Sequence, residues 1–412
     1  MSGSFTSVGI NTVNEGFYSI ENIAEDNYGF ETTLSLPPIA SNNILLGAGA
    51  NYDVVSQDNY YSSLENAILQ NNPSALQYNS NFDYNGTAEP AFWENLNNNG
   101  SVNTILPKNI SRTNSFAYAQ DLISLTENMD MILGLRLDYN SDIGTQLSKR
   151  LGFVYRANDK TTFKLLYGSA YRAPTLIEKY ALGHINLRMG DNNINPEHCD
   201  TYEAAIVYLP NFNNKLSLNF YYTQLHDVID LEELKYTDIG YTQYPDRTSK
   251  GVEFEYFYKT SMKHNLYLNL SYTDTTYITP MDTHNGNQDN NLQPPDPSIT
   301  ESMPDISRFM AKGLYVYKPN DKLTLGTAWR SFSQTTKPNT LWVVMFNSDT
   351  PVRAQSIFDE TLTYMISPFT SVSATIKNIF NEPVFNPAYY YYTNGGVPRE
   401  GRNFLFTFSQ KF

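Results

Sequence analysis

From Met131 the chain alternates with a period of two. Met131, Leu133, Leu135, Leu137 and Tyr139 fall on one side of an extended backbone, with Gly134, Arg136 and Asp138 on the other. The dyad recurs where Leu216, Leu218, Phe220 and Tyr222 oppose Ser217, Asn219 and Tyr221, and where Leu266, Leu268, Leu270 and Tyr272 oppose Asn269, Ser271 and Thr273. It returns in the last segment, where Phe404, Phe406, Phe408 and Phe412 oppose Leu405, Thr407, Ser409 and Lys411. Many such runs reach roughly ten to thirteen residues, beyond the five or six of a soluble sandwich strand and near what a tilted strand needs to cross a bilayer. One face suits lipid and the other water, the pattern of an all-β, antiparallel transmembrane β-barrel.

No run of 18 apolar residues occurs, so a transmembrane helix is not expected. The mean hydropathy of -0.44 does not argue against membrane strands, because lipid-facing and lumen-facing residues average out along each one. Aromatics make up 14% of the chain, with 32 Tyr and 23 Phe, while charged residues make up only 17%, an unusual balance for a soluble globular protein. A net charge of -14 argues against nucleic acid as a partner, since phosphate binding needs a basic surface. The single cysteine, Cys199, forms no intramolecular disulfide and has no metal-site spacing, and is read as an isolated side chain at a strand start. The segment MSGSFTSVGI has neither a basic n-region nor an apolar h-region, so the front of an exported product is expected to be missing or removed.

The connections supply a second signal. Tight polar turns are expected at 157–160, 209–215, 260–265, 318–322 and 367–370, rich in Pro, Asn and Asp. Long segments alternate with them at roughly 171–198, 227–247, 278–305, 335–353 and 380–401, and 57–112 reads as the longest loop. Short periplasmic turns and long extracellular loops are the arrangement of an outer-membrane barrel. The count comes to about sixteen strands, with both ends on the short-turn side. No fixed 20–50-residue signature repeats, which speaks against a propeller or solenoid.

Several motifs then fall in order. Tyr171-Arg172-Ala173-Pro174 ends a strand and leads into Glu178 and Tyr180; Asn195-Pro196-Glu197 precedes Tyr202-Glu203; Ser249-Lys250-Gly251-Val252-Glu253 opens another strand. Ile376-Lys377-Asn378-Ile379-Phe380-Asn381 comes before Tyr389 to Tyr392, Gly401-Arg402 and the terminal Phe412. Together these resemble the TonB-dependent outer-membrane receptor family, over roughly residues 167 to 412. Pro174, lacking an N–H, suits the point where a strand leaves the sheet, and Gly401 suits a tight return into the last strand.

The resemblance implies the outer membrane of a Gram-negative bacterium as the location and a transported ligand such as a ferric siderophore or haem. It also implies a plug domain, coupling to the TonB–ExbB–ExbD energy complex, and recognition of the C-terminal strand by the barrel assembly machinery. Family members have a TonB box and a plug before a barrel of roughly 22 strands. Neither is found here, so residues 1–412 are expected to be part of such a barrel, or a shortened relative.

No G-x-S-x-G, H-E-x-x-H, P-loop or Rossmann fingerprint occurs, so no catalytic residue is assigned and an enzyme is disfavoured. The five histidines are too scattered for a metal cluster. His184 lies between Tyr171-Arg172-Ala173-Pro174 and Asn195-Pro196, a layout that resembles haem receptors of the family; its alternatives are an axial haem ligand and a solvated loop side chain. Trp342, Phe346, Tyr389, Tyr390 and Tyr391 lie in long loops, where rings either stack on a chelate or belong to a membrane-interface belt. Arg136, Asp138, Lys164, Glu253, Glu255, Arg330 and Lys377 are expected to face the lumen. Two functional classes remain: a receptor importing a metal chelate with energised release, and an open diffusion channel.

Overall fold

The computed structural model describes residues 19–62, 110–181, 188–233, 239–244, 246–260, 263–278, 300–303, 306–335, 351–386 and 397–411. In chain order its strands are β1 (Ser19–Ser35), β2 (Asn42–Ser62), β3 (Ile110–Thr126), β4 (Met129–Asn140), β5 (Gly144–Asn158), β6 (Thr161–Arg172) and β7 (Arg188–Met189). There follow β8 (Glu197–Asn211), β9 (Asn214–His226), β10 (Val228–Glu233), β11 (Ile239–Tyr244), β12 (Arg247–Thr260), β13 (His264–Ile278) and β14 (Thr300–Ser302). The last are β15 (Phe309–Tyr317), β16 (Leu323–Phe332), β17 (Gln355–Ser367), β18 (Thr370–Lys377), β19 (Phe385–Asn386), β20 (Val397–Pro398) and β21 (Asn403–Gln410). One short helix, α1 (Leu176–Tyr180), follows β6.

Sixteen strands form one antiparallel sheet, ordered β1-β2-β3-β4-β5-β6-β8-β9-β12-β13-β15-β16-β17-β18-β21, with β14 beside β13. Because β14 pairs with the upper part of β13 and β15 with the lower part, these two are segments of a single crossing. The path therefore makes fifteen crossings, which changes one expectation: Gln410 ends at the short-turn side, but Ser19 begins β1 at the opposite end. Among the described residues β1 pairs only with β2, and β21 only with β18.

The expected turns fall where the sequence placed them, and side chains close them. Asn158 Oδ1 accepts from the Lys160 N–H at 2.9 Å, Asn211 Oδ1 from the Asn213 N–H at 2.9 Å, and Asn320 Oδ1 from the Lys322 and Leu323 N–H groups at 3.0 Å. These are local side-chain turns that Asn makes readily. The alternation of short and long connections is not strict, however. At the long-loop end, β4 and β5 are joined by residues 141–143 alone, and Gly144, at φ 76°, adopts the left-handed conformation that so tight a turn requires.

The outer face is apolar and open. Leu133, Leu135, Leu137 and Tyr139 are 41%, 58%, 50% and 54% exposed, too large a contiguous apolar surface to face water, and therefore a lipid-facing one. Tyr167, Tyr202 and Tyr222 form a row near the upper, long-loop end, with ring centroids 5.0 and 6.4 Å apart. Tyr208, Tyr315 and Tyr364 are exposed near the lower end. Aromatic bands at both ends of an apolar belt mark the two membrane interfaces. Charges interrupt this face, among them Lys149, in register with Leu135, and Glu360, which accepts from Thr327 Oγ1 at 2.7 Å.

The inner face is polar, with cross-strand hydroxyl pairs at Thr201–Thr223, Ser249–Thr275, Thr361–Thr375 and Thr363–Ser373 at 2.9 to 3.2 Å. By register, all seven residues expected to face the lumen lie on this face. The largest of the fully buried side chains among the described residues, Ile194, Val228 and Pro174, gather at the upper rim.

Candidate functional site

At the upper rim, the backbone leaves β6 at Arg172 and turns at the fully buried Pro174. It then enters α1 through a capping box, in which Thr175 Oγ1 accepts from the Glu178 N–H at 3.0 Å while the Glu178 carboxylate accepts from the Thr175 N–H at 2.6 Å. Arg172 draws three elements together. Its guanidinium donates to Glu178 at 2.8 and 3.1 Å and to Glu197 at 2.5 Å. Glu197, only 8% exposed, in turn accepts the Ile229 N–H of β10 at 2.7 Å. A buried carboxylate is tolerated because it has both a cation and a backbone donor.

Asn195 is exposed and exchanges hydrogen bonds with Gln243 of β11, its Nδ2 donating to Gln243 Oε1 at 3.2 Å and its carbonyl accepting from Gln243 Nε2 at 3.0 Å. Pro196 is buried beside it, and Ala173 is half-buried. β10, β11 and β7 complete a small three-stranded sheet over this corner. Tyr171, Arg172, Pro174, Asn195, Pro196 and Glu197 are thus brought to one corner, where Arg172 and Glu197 act as its internal clamp.

A second hub, Asp142, was not singled out from the sequence. Its carboxylate takes a forked pair from Arg112 at 2.8 and 2.7 Å and a longer bond from the Tyr180 hydroxyl at 3.4 Å, while its carbonyl accepts from Lys179 Nζ at 3.2 Å. Burial, and then the Asp142 charge, push the Tyr180 phenol above its ordinary range. The available signal was the capping box Thr175-x-x-Glu178, which places Lys179 and Tyr180 on a helix.

Below the rim, Arg136 donates through Nε and Nη2 to both oxygens of Asp138 at 2.9 Å, and its guanidinium lies 4.1 Å from the Phe116 ring centroid. The Tyr118 hydroxyl donates to Glu31 at 2.8 Å. Tyr171 accepts from Asn140 Nδ2 at 3.1 Å. Of the histidines, His198 pairs with Gln146 at 2.9 Å, His226 with Asp246 at 2.7 Å, and His264 with the Tyr315 hydroxyl at 2.8 Å. No group of three or more metal-ligating side chains forms among the described residues. Cys199 lies near the start of β8, 3.7 Å from Thr201 Oγ1. A cavity of about 240 Å³ lined by Lys215, Ser217, Glu255, Phe257 and Tyr267 lies at the lower end of the inner wall, away from the rim.

At the other motif, Asn378 and Asn381 adopt left-handed backbone at φ 50° and 53°. Asn378, 4% exposed, exchanges two bonds with Glu382 at 2.7 and 2.8 Å, and its N–H donates to Asp359 at 2.8 Å. Asn381 Oδ1 accepts from the Arg402 N–H at 2.9 Å. A side chain at Gly401 would bring its Cβ within 2.9 Å of that oxygen, so Gly401 is required by close approach and not, as the sequence suggested, by the geometry of the turn. His184, Trp342, Phe346, Tyr389, Tyr390, Tyr391 and Phe412 lie outside the described residues, as does His284.

Comparison with known proteins agrees with this architecture. Residues 40–379 match the model of the TonB-dependent receptor-like β-barrel family. The vitamin B12 transporter BtuB of Vibrio cholerae is 28% identical over 172 residues, covering 40% of this chain and 26% of that protein. Among solved structures, the FrpB iron transporter of Neisseria meningitidis superposes with a TM-score of 0.67 at 13% identity, covering 95% of this chain and 56% of that one. A mutant ferric enterobactin receptor of Pseudomonas aeruginosa, in complex with enterobactin, gives a TM-score of 0.66 at 16% identity, covering 97% and 56%. The chain thus spans about half the length of these structures. It belongs to the TonB-dependent receptor β-barrel family.

Proposed function

We propose that this member of the TonB-dependent receptor family serves the uptake of a scarce metal chelate across the outer membrane of a Gram-negative bacterium, with a ferric siderophore as the first candidate and haem or a cobalamin-like chelate as others. The observation that supports the reading is the clamped upper rim. Arg172, Glu178, Glu197 and the Ile229 N–H fix a loop corner above a polar, hydroxyl-lined inner wall. A diffusion pore needs the wall but gains nothing from an ordered mouth, whereas a receptor must hold its loops ready for a ligand. On this reading the partners are a plug domain in the lumen and the TonB–ExbB–ExbD complex, with the barrel assembly machinery engaging the last strand.

The test is growth of the source bacterium, with and without this gene, when iron is supplied only as ferric enterobactin or as haem, together with cobalamin-dependent growth. Loss of growth on one chelate in the strain without the gene, with uptake of that labelled chelate by wild-type cells stopped when the proton gradient is collapsed, is the expected outcome. Uptake that survives the collapse would instead identify a passive channel. Unchanged growth on every chelate would overturn the reading.

A further inference from the structure

The cavity at the lower end of the inner wall combines a fixed carboxylate, a free cation and an open aromatic ring. Register brings them together from β9, β12 and β13: Ser217 pairs with Glu255, Lys215 with Phe257, and Phe257 in turn with Tyr267. All five line one space of about 240 Å³, below the roughly 300–1,000 Å³ of a drug-sized site and suited to a small solute. Glu255 is its fixed element. One carboxylate oxygen accepts from the Tyr267 hydroxyl at 2.9 Å and the other from Ser217 Oγ at 3.2 Å, and each keeps a lone pair for a further donor.

Lys215 stands diagonally across from Glu255, and opposite charges at that spacing ordinarily close on each other. Here they do not. Lys215 is exposed and has no hydrogen bond or ion pair among the described residues, although it lines the same cavity. Phe257 is 43% exposed, a large apolar ring left open on a largely polar face. On that face, one pair above in register with Glu253 and one pair below in register with Lys259, Asn219 Oδ1 and Asn265 Oδ1 are buried without a hydrogen-bond partner among the described residues. Buried acceptors left unmatched are costly, and two of them bracket this cavity.

We propose that this cavity binds a small zwitterion with an aromatic body, of the α-amino-acid type. Glu255 takes the ammonium group, Lys215 turns onto the carboxylate, and the Phe257 and Tyr267 rings flank the aromatic body. Both charges of the solute are needed. A lone carboxylate is repelled by Glu255, and a lone ammonium by Lys215. The site lies on the wall away from the rim, so it does not depend on which chelate is imported.

The test uses the protein extracted from outer membranes in a mild detergent, with L-phenylalanine as the probe and a ligand-observed NMR titration as the readout. Phenylacetate, which lacks the ammonium group, and phenethylamine, which lacks the carboxylate, are the comparison solutes. The wild type is expected to bind L-phenylalanine with a Kd on the order of 1 mM and each comparison solute at least about tenfold more weakly. E255Q removes the preference over phenylacetate and K215Q the preference over phenethylamine, while K215R keeps both; far-ultraviolet circular dichroism checks that each variant retains the sheet. No binding of L-phenylalanine to the wild type up to about 20 mM, equal binding of all three solutes, or preferences unchanged in E255Q and K215Q would overturn the proposal, whatever the growth assays show.

Discussion

Gly49 and Gly168 face the same lumen, and the same substitution at the two positions is expected to give opposite results. At Gly49 an added Cβ would press on the Phe30 carbonyl oxygen, come within 2.7 Å of Phe116 Cζ and lie 3.1 Å from Glu31 Cα. The Phe116 ring could turn, but the β1 backbone cannot move without disturbing the ladder at the Glu31–Gly49 pair. Overpacking that shifts backbone costs about 1–3 kcal/mol, and weakening two ladder bonds adds about 1–2 kcal/mol. Replacing a strand glycine by alanine returns about 0.5–1 kcal/mol of backbone entropy. G49A is therefore expected to destabilise by about 3 kcal/mol. G168A, which meets nothing within 4 Å, keeps only the entropic gain and is expected to stabilise by about 0.5 kcal/mol. Urea unfolding in detergent, followed by far-ultraviolet circular dichroism, measures both. If the two variants agree within about 0.5 kcal/mol, the close approach of β1 to β2 at Gly49 is wrong, since no other term distinguishes them.

Other outcomes follow from the rim and the second motif. R172Q leaves the buried Glu197 without its cation and is expected to cost about 2–3 kcal/mol, with R172K recovering only part because lysine cannot make the fork; faster hydrogen exchange at Ile229 would report it directly. N378A loses both bonds to Glu382 and places alanine at φ 50°, for an expected cost of about 2–3 kcal/mol, whereas N378G keeps the backbone and loses only the bonds; unfolding midpoints separate the two. Because the Tyr180 phenol is held above its ordinary value of 10.0, its contribution is complete below pH 10 and is lost as pH rises through the higher folded value. Y180F should therefore show a shallower fall in stability above pH 10 than the wild type; parallel curves would contradict that assignment.

Much of the wall was legible because a strand alternates its side chains with a period of exactly two. Leu133, Leu135 and Leu137 could be assigned to lipid, and Arg136 and Asp138 to the lumen, without any knowledge of their neighbours. The Asn-rich turns were legible for a similar reason, since Asn158, Asn211 and Asn320 close them with local bonds. The three-residue connection between β4 and β5 was missed although Asn140, Ser141, Asp142 and Gly144 are turn formers, because the polar residues of the inner face also include Asn and Asp and a turn this short leaves no break in the pattern. The count of about sixteen is one more than the fifteen crossings, and β14, which lies inside the segment 278–305 read as a loop, is instead a fragment that pairs beside β13.

By itself, then, the sequence determined the class of fold, the two faces of the sheet and the order of the family motifs, all of them properties of local period and local turn chemistry. The tertiary structure alone decided the rest. Arg172 finds Glu197 across 25 residues, and Asp142 gathers Arg112 from β3 with Lys179 and Tyr180 from α1. Gly401 is glycine because Asn381, 20 positions earlier in the chain, comes to rest against it. Register fixes which residues meet across strands, and register is set by all the turns and bulges of the sheet acting together, so such contacts become visible only once every strand is in place.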